Sequence, residues 1–285
     1  MRPRGFTQLD VFASGPFTGN PLAVVLDGEA LSTEAMQRIT DWTNLSEATF
    51  LLPPTDPAAD YRVRIFCPGR ELPVAGHPTL GSCAAWLATG ATPQRDDRIV
   101  QQCGAGLIPI RRDGDRLAFA APPLIRSGQV EADVLAERLD QLGLEPDRVI
   151  DAAWIDNGPG WLGILLESAD AVLGVEIPGA RLPGFDVGLV GLHPVGGECA
   201  IEVRAFFADA SGAVREDPVT GSLNATVAQW LTESGRLSAP YVAAQGQCLG
   251  RRGRVHVEEF GDELWIGGRS PIVVSGTIEI PGADG

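Results

Sequence analysis

Apolar residues fall in short runs of β character: Thr7–Phe12, Leu22–Leu26, Thr49–Leu52, Arg62–Phe66, Val190–Leu192 and Glu202–Phe207. Runs of this length, rich in Val, Ile, Phe and Thr and separated by Gly, Pro and Asp, predict strands. Helical periodicity is rarer. It predicts helices over Thr33–Thr43, behind the N-cap candidate Ser32, and over Ala132–Gly143, with two more opening at Pro78 and Pro218. Proline suits a first helical position because its missing N–H has no intrahelical acceptor there.

The pattern repeats. Residues 63–82 read VRIFCPGRELPVAGHPTLGS and residues 203–222 read VRAFFADASGAVREDPVTGS. At a constant offset of 140, Val63, Arg64, Phe66, Val74, Pro78, Gly81 and Ser82 recur as Val203, Arg204, Phe206, Val214, Pro218, Gly221 and Ser222. Each half is therefore expected to carry a strand, a loop and a helix opening with Pro-x-x-Gly-Ser. A chain of 285 residues has room for two such domains. A duplicated chain folds most simply as two similar lobes facing each other across a pseudo-twofold axis, with a ligand cleft at their interface.

Composition narrows the function. With 44% hydrophobic and 21% charged residues the chain is globular, and its net charge of -15 disfavours nucleic acid and anionic membranes as partners. No run approaches a membrane span and the first residues lack a signal-peptide core, so a cytoplasmic location is expected. The five cysteines form no CxxC pair and read as buried, reduced thiols; three histidines without a ligand cluster give a metal little support. All 22 basic residues are arginine. Without lysine the chain cannot run Schiff-base pyridoxal or class I aldolase chemistry, or use a P-loop lysine.

In the ungapped register His77 corresponds to Asp217, each just before a predicted helix start, where free N–H groups and the helix dipole favour an anion such as a substrate carboxylate. Ser82 and Ser222 would lie about one turn in. Plainer readings stand beside these: Asp217 as an N-cap, His77 as a structural histidine. Glu47, in NLSEATF, sits at the entry to an apolar strand, a place where burial can raise a carboxyl pKa toward neutrality. An exposed turn glutamate is the simpler reading of that residue alone.

Four motifs in order, DVFASGPFTGNPLAVV, NLSEATF, GHPTLGS and EDPVTGS, resemble the PhzF-like phenazine-biosynthesis family of the diaminopimelate-epimerase superfamily, and the likeness spans the chain. The resemblance implies an α+β fold of two pseudo-symmetric lobes, each a β-barrel-like sheet around a central helix, in a homodimer. The lobes would cover residues 1–125 and 126–270, with a strand at about 270–285 returning to the first. It implies a cofactor-independent isomerase in which Glu47 shuttles a proton between two carbons of a small carboxylated metabolite. His77, Asp217 and Ser222 match positions that place the substrate, and Asn20, Gly76, Thr79, Ser82, Thr220 and Gly221, from the same motifs, are expected to bind it. Superfamily epimerases use a cysteine at each helix start; here those places read as Ala75 and Pro218, which leaves a single carboxylate as the proton carrier. Two other functions fit the same residues: an amino-acid epimerase using Glu47 with His77 or Asp217, and a carboxylate-binding protein without turnover.

Overall fold

The computed structural model describes residues 2–280. The chain divides into two compact units, residues 1–120 with 267–285 and residues 121–266. The first contains strands β1 (Arg2–Val11) and β2 (Asn20–Val25), helix α1 (Thr33–Thr43), strands β3 (Ala48–Leu52), β4 (Tyr61–Cys67) and β5 (Arg70–Leu72), helix α2 (Gly76–Ala88) and strands β6 (Ile99–Cys103), β7 (Gly106–Asp113) and β8 (Arg116–Ala120). The second contains β9 (Arg126–Gln129), α3 (Ala132–Leu142), β10 (Val149–Asp156), β11 (Leu162–Leu166), α4 (Ala169–Leu173), β12 (Asp186–Leu192), β13 (Ile201–Ala208), β14 (Val214–Asp217), α5 (Gly221–Glu233), β15 (Tyr241–Gln245) and β16 (Gly253–Phe260). After β17 (Glu263–Arg269), β18 (Ile272–Ile280) pairs antiparallel with β1 of the first unit. The final residues of the expected return strand, 281–285, lie outside the described residues.

The two units share one connectivity. In the first, β1 and β2 are antiparallel, β2 and β3 parallel, β3 and β4 antiparallel, β5 hairpins onto β4, and β6 joins β4 in parallel before reversing into β7. In the second, β10 through β16 repeat each of these steps in the same order. The fold is α+β, and each unit wraps its sheet around one apolar helix. In the first unit α2 packs on β1, β2, β3, β4, β6 and β8, and Gly81 permits the approach, since a methyl there would meet Leu22 Cδ2 at 2.5 Å. In the second, α5 buries Leu223, Val227 and Leu231 completely, each worth roughly 1.5–3 kcal/mol. Gly188 makes room for Leu223: a Cβ there would lie 2.4 Å from Leu223 Cδ1.

The expected strands are present, though Phe12 and Leu26 fall just past the ends of β1 and β2, and α1 starts behind Ser32, whose hydroxyl accepts from Ala35 N–H. Helix α3 stops at Gly143, which takes the left-handed conformation of a C-terminal cap. The starts at Pro78 and Pro218 are corrected. Helix α2 begins at Gly76, so Pro78 is its third residue, whereas Pro218 lies outside α5 and precedes the N-cap Thr220.

The offset of 140 therefore holds for β4 and β13 but not beyond the hairpin. Ile65 pairs with Leu72 in one unit, and its counterpart Ala205 pairs with Asp217 in the other, an offset that has grown to 145. The second hairpin carries five extra residues. In the corrected register Glu71, Pro73, Val74 and Gly76 answer Glu216, Pro218, Val219 and Gly221, and His77 answers Ser222 rather than Asp217. An internal marker agrees: Arg64 pairs with Glu71 and Arg204 with Glu216, each guanidinium also lying over the following Phe66 or Phe206 ring.

The cysteines are free, but they are not uniformly buried. Cys83 and Cys199 are, Cys67 and Cys103 are half-buried, and Cys248 is exposed. Among the described residues no helix is long and apolar enough to cross a membrane.

Candidate active site

In the first unit the sequence brings Asn20, Glu47 and His77 together. Asn20 opens β2 and is fully buried. The loop before it is tied to the Asp10 carboxylate, which accepts from Thr18 N–H at 2.7 Å and Gly19 N–H at 3.0 Å. Only glycine fits position 19, because a Cβ would lie 2.1 Å from the Val11 carbonyl oxygen. Glu47 follows the turn that ends α1 at the left-handed Asn44 and stands one residue before β3. His77 is the second residue of α2.

The His77 Nε2 lies 3.3 Å from Glu47 Oε2, and its Nδ1 lies 3.5 Å from Asn20 Nδ2. Ser46 donates to Asn20 Oδ1, which turns the Asn20 amide N–H toward the imidazole. A nitrogen facing an amide donor must accept, so Nδ1 is bare and the ring hydrogen sits on Nε2, the nitrogen nearer the Glu47 carboxylate. Burial holds the imidazolium pKa down at about 3, so the ring is neutral in ordinary buffers. The α2 start has no side-chain cap, and its positive end also disfavours an imidazolium. At 3.3 Å the contact is looser than a well-formed hydrogen bond.

The second unit builds a different helix mouth on the same backbone. Thr220, the N-cap of α5, donates its hydroxyl to Asp217 Oδ2 at 2.5 Å and receives Gln245 Nε2 at 2.9 Å. Gln245 Oε1 accepts from Thr220 N–H and Asn224 Nδ2, and Gln245 Nε2 also reaches the Asp217 carbonyl. Gly221 and Ser222 are the first two helical residues, and the Ser222 hydroxyl accepts from Trp161 Nε1 at 3.0 Å.

Not every expected residue lies at a helix mouth. Ser82 is the seventh residue of α2, fully buried, and donates to Thr49 Oγ1 at 2.9 Å, so it joins helix to sheet. Thr79 is buried as well and accepts from Gln101 Nε2. Gly76, Thr220, Gly221 and Ser222 do stand at helix starts. The residue answering Ala75 is Thr220, not Pro218; it carries a hydroxyl and no thiol, so neither helix start offers a cysteine.

The sequence model described as phenazine biosynthesis-like protein matches residues 9–276. The chain belongs to that family. It is 34% identical to Antisense-enhancing sequence 1 of Schizosaccharomyces pombe over 97% of this chain and 99% of that one. It is 33% identical to the trans-2,3-dihydro-3-hydroxyanthranilate isomerase of Pseudomonas aeruginosa over 90% of each. Among solved structures, the PhzF-family phenazine biosynthesis protein of Bacillus anthracis matches with a TM-score of 0.81 at 22% identity, covering 98% of this chain and 100% of that one, a likeness of fold. This phenazine biosynthesis-like chain is an isomerase, the activity named for several of its relatives.

Sequence reading of the phenazine biosynthesis-like motifs missed four groups that hold the site residues: Ser46, Trp161, Gln101 and Gln245. The glutamines offered a faint signal. Gln101 and Gln245 are polar residues in or closing otherwise apolar strands, and both are buried against the fourth residue of the unit's helix, Thr79 or Asn224.

Proposed function

We propose that the chain moves a proton between two carbons of a small, unsaturated or cyclic carboxylate, with Glu47 as the only proton carrier. The observation that carries this reading is the Glu47–His77–Asn20 arrangement. A neutral imidazole whose Nε2 already bears hydrogen can steady the carboxylate but cannot take its proton. Glu47 removes a proton from one carbon, the electron pair left behind shifts along the conjugated system, and the same carboxyl returns the proton to the second carbon. One carboxylate on one face of the substrate is enough, so in this reading turnover rests on side chains without a metal or organic cofactor. Asp217, Thr220, Gly221 and Ser222 are assigned to binding the substrate's polar groups, as is Asn20 through His77. The trans-2,3-dihydro-3-hydroxyanthranilate of the Pseudomonas aeruginosa relative is a cyclic carboxylate of this class, and it is the first compound to assay.

The test is Glu47→Gln. Glutamine keeps the size and polarity of the side chain but cannot carry a proton between carbons. Turnover should fall by about 10²–10⁴-fold while o-aminobenzoate, an unreactive carboxylate of similar shape, still binds. Turnover in heavy water, followed by NMR, should show the moved hydrogen partly retained from substrate. Near-normal turnover in the variant would falsify the single-carrier mechanism and favour an epimerase using His77 or Asp217.

A further inference from the structure

Trp161 has no place in the motifs, yet the residue is only 3% exposed and its single polar side-chain atom is spent on Ser222. The segment leading to it is tightly fixed. Asp156 Oδ1 accepts from Gly158 and Gly160 N–H, both at 2.7 Å, and both glycines take positive φ, +142° and +102°. Asn157 from the same segment donates to the Ser222 carbonyl at 3.2 Å. Ser222 is thus gripped at its side chain and its backbone by one short stretch of chain.

The chemistry of the grip is one-sided. Indole nitrogen can only donate, so the Ser222 oxygen accepts from it and the hydroxyl hydrogen is not used in that bond. The neighbouring Thr220 hydroxyl is already committed, giving its hydrogen to Asp217 and accepting from Gln245. Ser222 is therefore the hydroxyl of this helix start whose hydrogen is left for a ligand. A hydroxyl used in this way selects an acceptor, such as a carboxylate or carbonyl oxygen, over a donor.

We propose that Trp161 is a positioning residue that fixes the Ser222 hydroxyl as a donor to a substrate oxygen. The inference rests on the assignment of Ser222 to substrate binding given above. It extends that assignment by naming the residue that sets the polarity of the contact.

The experiment is a double-mutant cycle read by calorimetric titration with o-aminobenzoate, using wild type, Trp161→Phe, Ser222→Ala and the double variant. Ser222→Ala should weaken binding about tenfold or more, the size of one hydrogen bond to a charged oxygen, and Trp161→Phe about three- to tenfold, since the hydroxyl stays but is no longer fixed. The double variant should bind no worse than Ser222→Ala, because the indole acts only through that hydroxyl. Independent, additive losses would assign Trp161 a packing role and overturn the proposal. Since phenylalanine also removes volume, a benzothienyl isostere of Trp161, which keeps the shape and loses the N–H, should reproduce the loss; wild-type affinity in the isostere overturns it. Failure of wild type to bind o-aminobenzoate at about 10 mM removes the donor contact itself. None of these outcomes depends on Glu47, so a failed Glu47→Gln test and a failed cycle remain distinct results.

Discussion

The starts of α2 and α5 are the same piece of backbone put to two uses. Both follow a short strand and a Pro-Val dipeptide, and both open with glycine. At the second helical position one has His77, an imidazole beside a carboxylate, and the other has Ser222, a hydroxyl held by an indole. The first arrangement sets a neutral imidazole beside a carboxylate; the second offers fixed hydrogen bonds. Duplication kept the frame and changed the side chains at the helix start, so that in the proposed reading a few substitutions separate a proton-transfer station from a binding station on one fold.

The sharpest way to break this division is to compare one acidic residue from each mouth. Glu47→Gln is expected to lower kcat by about 10²–10⁴-fold with little change in o-aminobenzoate affinity. Asp217→Asn should instead shift KM and kcat together and only several-fold. If Asp217→Asn gave the larger kcat loss, the proton carrier would belong to the second mouth.

The ion pairs behind the two mouths sharpen the comparison through stability. Arg204 is 3% exposed, its partner Glu216 is fully buried, and its guanidinium also donates to the Val172 and Val175 carbonyls. Arg64 and Glu71 keep 26% and 40% of their surface. Arg204→Ala leaves a buried carboxylate unpaired and should cost about 3–5 kcal/mol. Arg64→Ala should cost less than about 1 kcal/mol. Hydrogen exchange of amides in β13 and β4 would read the two effects separately; equal losses would contradict the burial difference.

A smaller effect comes from His77. Its pKa is about 3 in the folded chain, below the ordinary histidine value of about 6.5, so between those pH values the unfolded chain binds the extra proton. Stability should therefore rise with pH up to about 6.5 and then level off, by at most about 1.4 kcal/mol per unit. Replacing His77 with asparagine should flatten the profile in this range, whereas Ser222→Ala should leave it unchanged. Urea midpoints from pH 4 to 8 would decide it.

How far the sequence could be read depends on the range of the signal. Strands and the two capped helices rest on local patterns, and Ser32 and Gly143 marked their ends correctly. Pro78 misled because the first several N–H groups of a helix all lack intrahelical acceptors, so proline is as welcome at the third position as at the first. The ungapped repeat was right through Phe66 and Phe206 and wrong after them, because an insertion at a hairpin tip leaves both strands intact while sliding everything downstream. The contact of Glu47 with His77 joins residues 30 apart, and no local rule predicts it. Trp161 was invisible for another reason: one aromatic at the head of an apolar strand looks like core.

The longer β13–β14 turn has a practical meaning. Asp209 closes it by accepting from Ser211 and Ala213 N–H, and it pairs with Arg215 of β14. Its five added residues left the Arg–Glu pairing and the helix start where the shorter turn puts them. Natural history has in effect run an insertion experiment at this spot, and the spot passed. The tip is also pinned from outside, since Arg181 donates to the Ser211 carbonyl and Leu182 N–H to the Gly212 carbonyl, so a peptide tag or fluorescent reporter belongs between the exposed Ala210 and Ser211, ahead of both anchors.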